Sequence, residues 1–323
     1  MSIKTVFTPD LAPYEGVKPM KTAIQWATSI MLFVSPAEAD PQPELLAEVP
    51  FTLHQNGVIV QATINDEAQI QLLLDTGWGP LAIVSTAARR LNLQAKGNSG
   101  ELPRVEVKSL AIGQAVKRNV AFEVFPAEEL QPLIGPYDGV LSTDFFKDLV
   151  LEIDYPAGFV RFHASSPISK RAPTEAIART AVPMVLLPQV GALPFTDAVL
   201  VDEKPVRALF DTGGAGGFMA MKRLVDRAKL EIMPDSGPKT GIGMLSNGQV
   251  IHQQVHFARV ERITLGEIVV NSPRVMIAPS QLEGSDWGHD LNIGYGFMRS
   301  YIVTFDYPGR IITFEHAIST PAH

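Results

Sequence analysis

The chain repeats itself, and that duplication limits its possible folds more than any other feature. One half opens "EVPFTLHQNGVIVQATINDEAQIQLLLDTG" and the other "AVPMVLLPQVGALPFTDAVLVDEKPVRALFDTG". Each runs from Val-Pro through an apolar stretch, a Gly and a second apolar stretch to a short acidic turn. That turn is Asn65-Asp66-Glu67 in one copy and Asp202-Glu203-Lys204 in the other. A third apolar run then ends in Asp-Thr-Gly. The halves also close alike, in "YDGVLSTDFFKDLVLEIDYPAGFVRF" and "DLNIGYGFMRSYIVTFDYPGRIITF". Self-similarity at this scale means one structural unit built twice. The interval from Asp211 to Asp306 exceeds that from Asp75 to Asp154 by about one hairpin, so the second copy carries an insertion in its middle.

The boundaries follow from the repeat. Residues 45–165 form the first lobe, 166–174 a linker and 175–318 the second lobe, two domains being what 323 residues accommodate. The linker lies within "HASSPISKRAPTEAIART", rich in Ser, Pro and basic residues and without an apolar period. Segments such as "GVIVQATI" and "RVERITLGEIVVNSPRVMIAP" are rich in Val, Ile and Thr and punctuated by Gly, Asn and Pro, the pattern of strands and turns. "STAARRLNL" and "MAMKRLVDRAKL" are the clearest helical stretches, each shortly after an Asp-Thr-Gly, and each closing segment carries an aromatic-containing helical turn. The expected fold is all-β with short helices, and the absence of βαβ alternation argues against a dinucleotide-binding fold.

A single Asp-Thr-Gly is an ordinary turn after a strand. Two copies at matching places in a repeat say more. Each strand delivers an acid at its end, and Gly77 and Gly213 allow a tight turn and close approach to a symmetry mate. If the halves pack face to face about a pseudo-two-fold axis, Asp75 and Asp211 converge, with Thr76 and Thr212 placed to hydrogen-bond across the axis. Two neighbouring carboxylates cannot both ionise readily, so the pair shares a proton. A water between them can be deprotonated by one acid while the other polarises a carbonyl, which is amide hydrolysis with neither a nucleophilic side chain nor a metal.

These residues resemble the aspartic peptidases of the retropepsin and pepsin type, most of all bacterial retropepsin-like proteins with two lobes on one chain. The resemblance covers about residues 45–318. It rests on Asp75-Thr76-Gly77, Asp211-Thr212-Gly213 and the closing "GVLSTDFF…IDYP" and "NIGYGFMRSYIVTFDYP". It implies a bilobal pepsin-like acid-protease fold of two homologous β-barrel lobes, with Asp75 and Asp211 catalytic and Thr76, Gly77, Thr212 and Gly213 in support. In such proteins two apolar residues and a Gly pack beneath the Asp loop; here Ile293 is preceded by Asn292 and followed by Gly294, while Val140-Leu141 is followed by Ser142 where Gly is usual. Trp78 and Gly214 stand where Ser, Thr or Ala is usual, and losing that hydroxyl implies a less acidic optimum than in pepsin-like members. Trp78 fits either lobe packing or a wall of the substrate site. A flap hairpin over the acids is expected from 96–107 or 237–257, the latter supplying Gly241 and Gly243 as cleft candidates. The resemblance implies no metal or cofactor, a peptide or protein substrate bound extended, and a monomer with intramolecular lobe pairing. Lobe pairing between two chains, and a secreted peptide-binding relative without turnover, are the alternatives.

Composition removes other classes. There is no cysteine, hence no disulfide, thiolate catalyst or Cys-ligated zinc. A net charge of −7 gives no basic footprint for nucleic acid. No G-x-S-x-G occurs, and "DTGGAGG" lacks the Lys-Ser/Thr of a phosphate loop. His252 and His256 lie in a β-like stretch and read as surface residues, and Asp138, Asp144, Asp154 and Asp306 read as turn or cap residues. From Met20, "MKTAIQWATSIMLFVSPAEADPQPE" has a basic start, a short apolar run and an A-x-A site at Ala37-Glu38-Ala39. Residues 1–39 thus read as a signal peptide preceded by an upstream start, which predicts a periplasmic or secreted protein with no membrane span once mature.

Overall fold

The computed structural model describes residues 5–6, 44–97, 102–164, 177–233, 239–244, 250–278 and 287–317. The signal-peptide segment, apart from Thr5–Val6, and the linker 166–174 lie outside the described residues. The chain is mostly β. In the first lobe Gly57–Ile64 and Ala68–Asp75 form the opening hairpin, and Ala68–Asp75 pairs in parallel with Gly139–Ser142. Ala82–Val84 continues the sheet to the long hairpin Arg104–Ile112/Ala115–Phe125, and Arg104–Ile112 returns to Gly57–Ile64, closing a barrel.

The second lobe repeats this order with Phe195–Val201, Lys204–Phe210, Leu291–Ile293, Phe218–Ala220 and Arg274–Ile277. Its long hairpin is broken into two, Arg262–Leu265/Ile268–Asn271 and Val250–Arg259 against Arg274–Ile277. Lys239–Met244 adds an extra strand against Val250–Arg259, which is the insertion expected from the longer second half. Thr5–Val6 pairs on the outer edge of that strand.

The acidic turns have a shared job. Asn65 and Asp66, and likewise Asp202 and Glu203, take positive φ, the left-handed geometry of tight hairpin turns. Asn65 Oδ1 accepts the Lys108 N–H (2.7 Å) and Asp202 Oδ1 the Arg262 N–H (2.8 Å). Each turn thereby pins its hairpin to the far strand that completes the lobe.

A six-stranded sheet joins the lobes. Val150–Asp154 and Ile302–Asp306 lie antiparallel at its centre, flanked by Phe159–His163 and Leu45–Pro50 on one side and Ile311–Ala317 and Ile177–Pro183 on the other. The equivalent residues Glu152 and Thr304 face each other, so a pseudo-two-fold axis passes between them. Asp154 and Asp306 accept the N–H of Ala157 (3.0 Å) and Gly309 (2.7 Å), making them turn residues. Burial explains the rest: Leu72, Leu74, Val140, Leu141, Phe210 and Ile293 are all fully buried around the strands that carry the acids. Each such side chain contributes about 1.5–3 kcal/mol relative to exposure.

Candidate active site

The strands Ala68–Asp75 and Lys204–Phe210 carry their Asp-Thr-Gly loops to the junction of the lobes. Asp75 is fully buried and Asp211 is 4% exposed. Gly77 N–H donates to Asp75 Oδ1 (2.9 Å), and a Cβ placed on Gly77 would lie 2.5 Å from Asp211 Cγ. The reverse holds for Gly213: its N–H donates to Asp211 Oδ1 (3.0 Å), and its Cβ would lie 2.6 Å from Asp75 Cγ. Each glycine therefore touches both carboxyl groups, which makes the acids neighbours across the junction.

The threonines lock this arrangement. Thr76 N–H donates to Thr212 Oγ1, and Thr212 N–H donates to Thr76 Oγ1, both at 3.0 Å. The Thr76 hydroxyl donates to the Phe210 carbonyl (2.7 Å) and the Thr212 hydroxyl to the Leu74 carbonyl (3.0 Å). All four bonds cross between lobes in buried surroundings. Replacing Thr76 or Thr212 with Val strands a buried N–H and a buried carbonyl. We expect each change to lower unfolding free energy by roughly 1–3 kcal/mol in urea denaturation.

Two phenols underlie the acids. Tyr155 and Tyr307 follow the central strands of the joining sheet, and their hydroxyls are buried without a hydrogen-bond partner among the described residues. Burial pushes both phenols up from the ordinary value of 10.0. Tyr295 and then Asp211 add to the effect at Tyr155, and Asp75 adds at Tyr307. Each tyrosine thus feels the acid of the opposite lobe. A phenol raised in the folded state holds its proton longer than in the unfolded chain. Its contribution is complete below the ordinary value and is lost as pH rises beyond it. We expect the melting temperature to fall above about pH 10, and Tyr155→Phe with Tyr307→Phe to flatten that fall.

The other sequence candidates separate. Trp78 is 4% exposed and packs edge-on against Phe125 (5.7 Å between centroids), so of its two readings the structure supports packing within the first lobe. Gly241 and Gly243 lie in Lys239–Met244, paired with Gln253 and Ile251 in the extra hairpin of the second lobe. The other flap segment, 96–107, contributes only a Lys96–Arg104 bridge before its strand, and 98–101 lie outside the described residues. Gly294 has no room for a side chain, since a Cβ would meet the carbonyls of Gly214 (2.4 Å) and Gly216 (2.5 Å). Ser142 stands at the equivalent place, where the loop after Asp75 is one residue shorter than that after Asp211. Asp138 accepts the Gln71 N–H and pairs with Arg90 on the following helix, Ser85–Arg90, and Asp290 accepts the Arg207 N–H and lies by Arg227 on Lys222–Ala228. These two acids fasten helices to sheets.

Residues 198–297 match a family model described as Aspartyl protease. The match falls within the second lobe, and that family belongs to the retropepsin-like clan. The matched stretch includes Asp211-Thr212-Gly213 and Asn292-Ile293-Gly294. No curated protein matches the sequence. Among the described residues no group of His, Asp and Glu could hold a metal ion, and no helix is long and apolar enough to cross a membrane.

Sequence reasoning left three residues of this region unassigned. Asn292, Met219 and Met276 line an open cavity beside Asp211, together with Gly214, Gly216 and Phe218. The signal was present in the repeat, because Asn292 stands where the first lobe carries Val140.

Proposed function

We propose that the protein is an aspartic endopeptidase in which Asp75 and Asp211 share one proton and activate a water. The observation that carries this reading is the reciprocal contact of Gly77 and Gly213 with both carboxyl groups. In the first step the ionised acid takes a proton from the water as its oxygen attacks the peptide carbonyl, and the protonated acid donates to the carbonyl oxygen. As the tetrahedral gem-diol collapses and its C–N bond breaks, the protonated acid gives its proton to the leaving amine and the ionised acid takes one from a hydroxyl of the intermediate, so the pair ends holding one proton, as it began. Gly213 and Gly214 N–H groups, both 3.0 Å from Asp211 Oδ1, stabilise the single negative charge.

An extended substrate suits this site. The hairpin carrying Gly241 and Gly243 offers a strand edge that accepts Thr5–Val6, and strand addition supplies affinity through main-chain hydrogen bonds. Both acids belong to one chain, so the working unit is a monomer, which sedimentation tests. The leader-like pattern within residues 1–39 supports export to a periplasm or outside the cell, which N-terminal sequencing of exported protein tests. The catalytic reading is tested by incubating the protein with unfolded peptides across pH, beside Asp75→Asn and Asp211→Asn. Cleavage by wild type alone supports it, and equal cleavage by all three removes the dyad. A second reading, a peptide-binding relative without turnover, is favoured by Trp78 filling the first-lobe side of the junction; tight peptide binding with no cleavage at any pH would select it.

A further inference from the structure

The two sides of the cleft have different chemistry. In the second lobe the register sets Asn292 beside Met219, Met219 beside Met276 and Met276 beside Phe257. In the first lobe the equivalent row is Val140, Ala82, Glu123 and Arg104, ending in an ion pair at 3.0 Å. The loop residue above each row differs too. Trp78 and Gly214 are equivalent, their carbonyls accepting the Thr143 N–H (3.1 Å) and the Tyr295 N–H (2.8 Å). Trp78 reaches Phe125, two residues along the strand from Glu123 and so on the same sheet face. The indole thus closes the first-lobe side. Gly214, Gly216 and Gly217 leave the second-lobe side open as a solvent-facing depression that includes Asp211 in its lining.

Besides Asp211, the cavity has apolar walls and one other polar side chain, Asn292, which is fixed in place. His289, 1% exposed, lies between Trp287 and Phe195 and places Nε2 2.6 Å from Asn292 Oδ1. Because a carboxamide oxygen only accepts, His289 Nε2–H donates, and the Asn292 amide nitrogen keeps its donors. No described residue accepts from it. A bound side chain with an apolar stem would lie along Met219 and Met276, and a neutral acceptor at its tip would meet Asn292. An acidic tip is disfavoured by Asp211.

We propose that Asn292, held by His289, makes this cavity a specificity pocket for a long, unbranched side chain ending in a neutral hydrogen-bond acceptor, glutamine above all. The proposal rests on the peptidase reading above and adds that selection acts on one side of the scissile bond, because Trp78 occupies the other. A site built to hydrogen-bond a substrate group discriminates against analogues that lack it.

The test is cleavage-site profiling on a peptide library with wild type, Asn292→Val (the first lobe's residue) and Asn292→Leu (the closest apolar shape). Calorimetry runs beside it, using two peptides with a reduced, uncleavable bond that differ only in Gln or Leu at the selected position. Wild type should favour Gln over Leu at a single position, and each variant should lower that ratio by about tenfold or more. Cleavage with the same ratio in wild type and variants overturns the pocket assignment and leaves the peptidase reading standing. If wild type cleaves nothing yet binds the Gln peptide more tightly, and the variants lose that difference, the pocket stands and the peptidase reading falls. No cleavage and no difference in binding overturns both.

Discussion

If the proposed dyad carries the reaction, Asp75→Asn and Asp211→Asn should each reduce peptide hydrolysis by about 10²–10⁴-fold or more, the scale expected when an acid–base partner is removed. Asparagine keeps the shape and one oxygen, so Gly77 N–H and Gly213 N–H retain their acceptors at positions 75 and 211. What the proposed mechanism would lose is the shared proton, because an amide neither takes a proton from water nor gives one to a carbonyl. The folded state should survive, since each change removes a titrating group from a buried site and leaves the threonine lock intact. Circular dichroism and melting of the variants alongside wild type separate lost chemistry from lost structure. Activity retained in either variant would show that the two acids do not act as a unit.

Gly77→Ala and Gly213→Ala carry the second large effect, and they act on geometry. A methyl group at either position would fall 2.5–2.6 Å from the opposite carboxyl carbon, well inside contact distance. The acids are held by strands on both sides, and the loops are tied by four hydrogen bonds, so neither can yield without parting the lobes. Overpacking of this kind costs roughly 1–3 kcal/mol. Moving the carboxyl groups apart also breaks the path by which one proton serves both. We expect both variants to lose stability in urea and nearly all activity. Gly79→Ala, where an added Cβ meets nothing within 4 Å, is the control that should retain stability.

The duplication made much of this arrangement legible in the sequence. Patterned strands ending in Asp-Thr-Gly, and matched closing segments, declare a unit used twice even where few residues are identical. The joining sheet was not legible, because pairing Val150–Asp154 with Ile302–Asp306 is a contact between halves that local periodicity does not record. The helix Ala127–Ile134 was missed because Pro132 sits inside it and reads as a breaker. Trp78 had two readings because its side chain follows from loop length and strand register, neither visible locally. His289 lies in, and Asn292 just beyond, the segment "GSDWGHD", which has no apolar alternation to mark a strand. Only the strand Leu291–Ile293 aligns Asn292 with Met219.

The most direct measurement of the central claim is the dependence of kcat/KM on pH for an uncharged peptide. A dyad sharing one proton is active only in its singly protonated form, so the profile should be a bell whose two limbs are apparent pKa values of the pair. A profile that rises or falls through one ionisation and then stays flat would contradict a shared proton between Asp75 and Asp211.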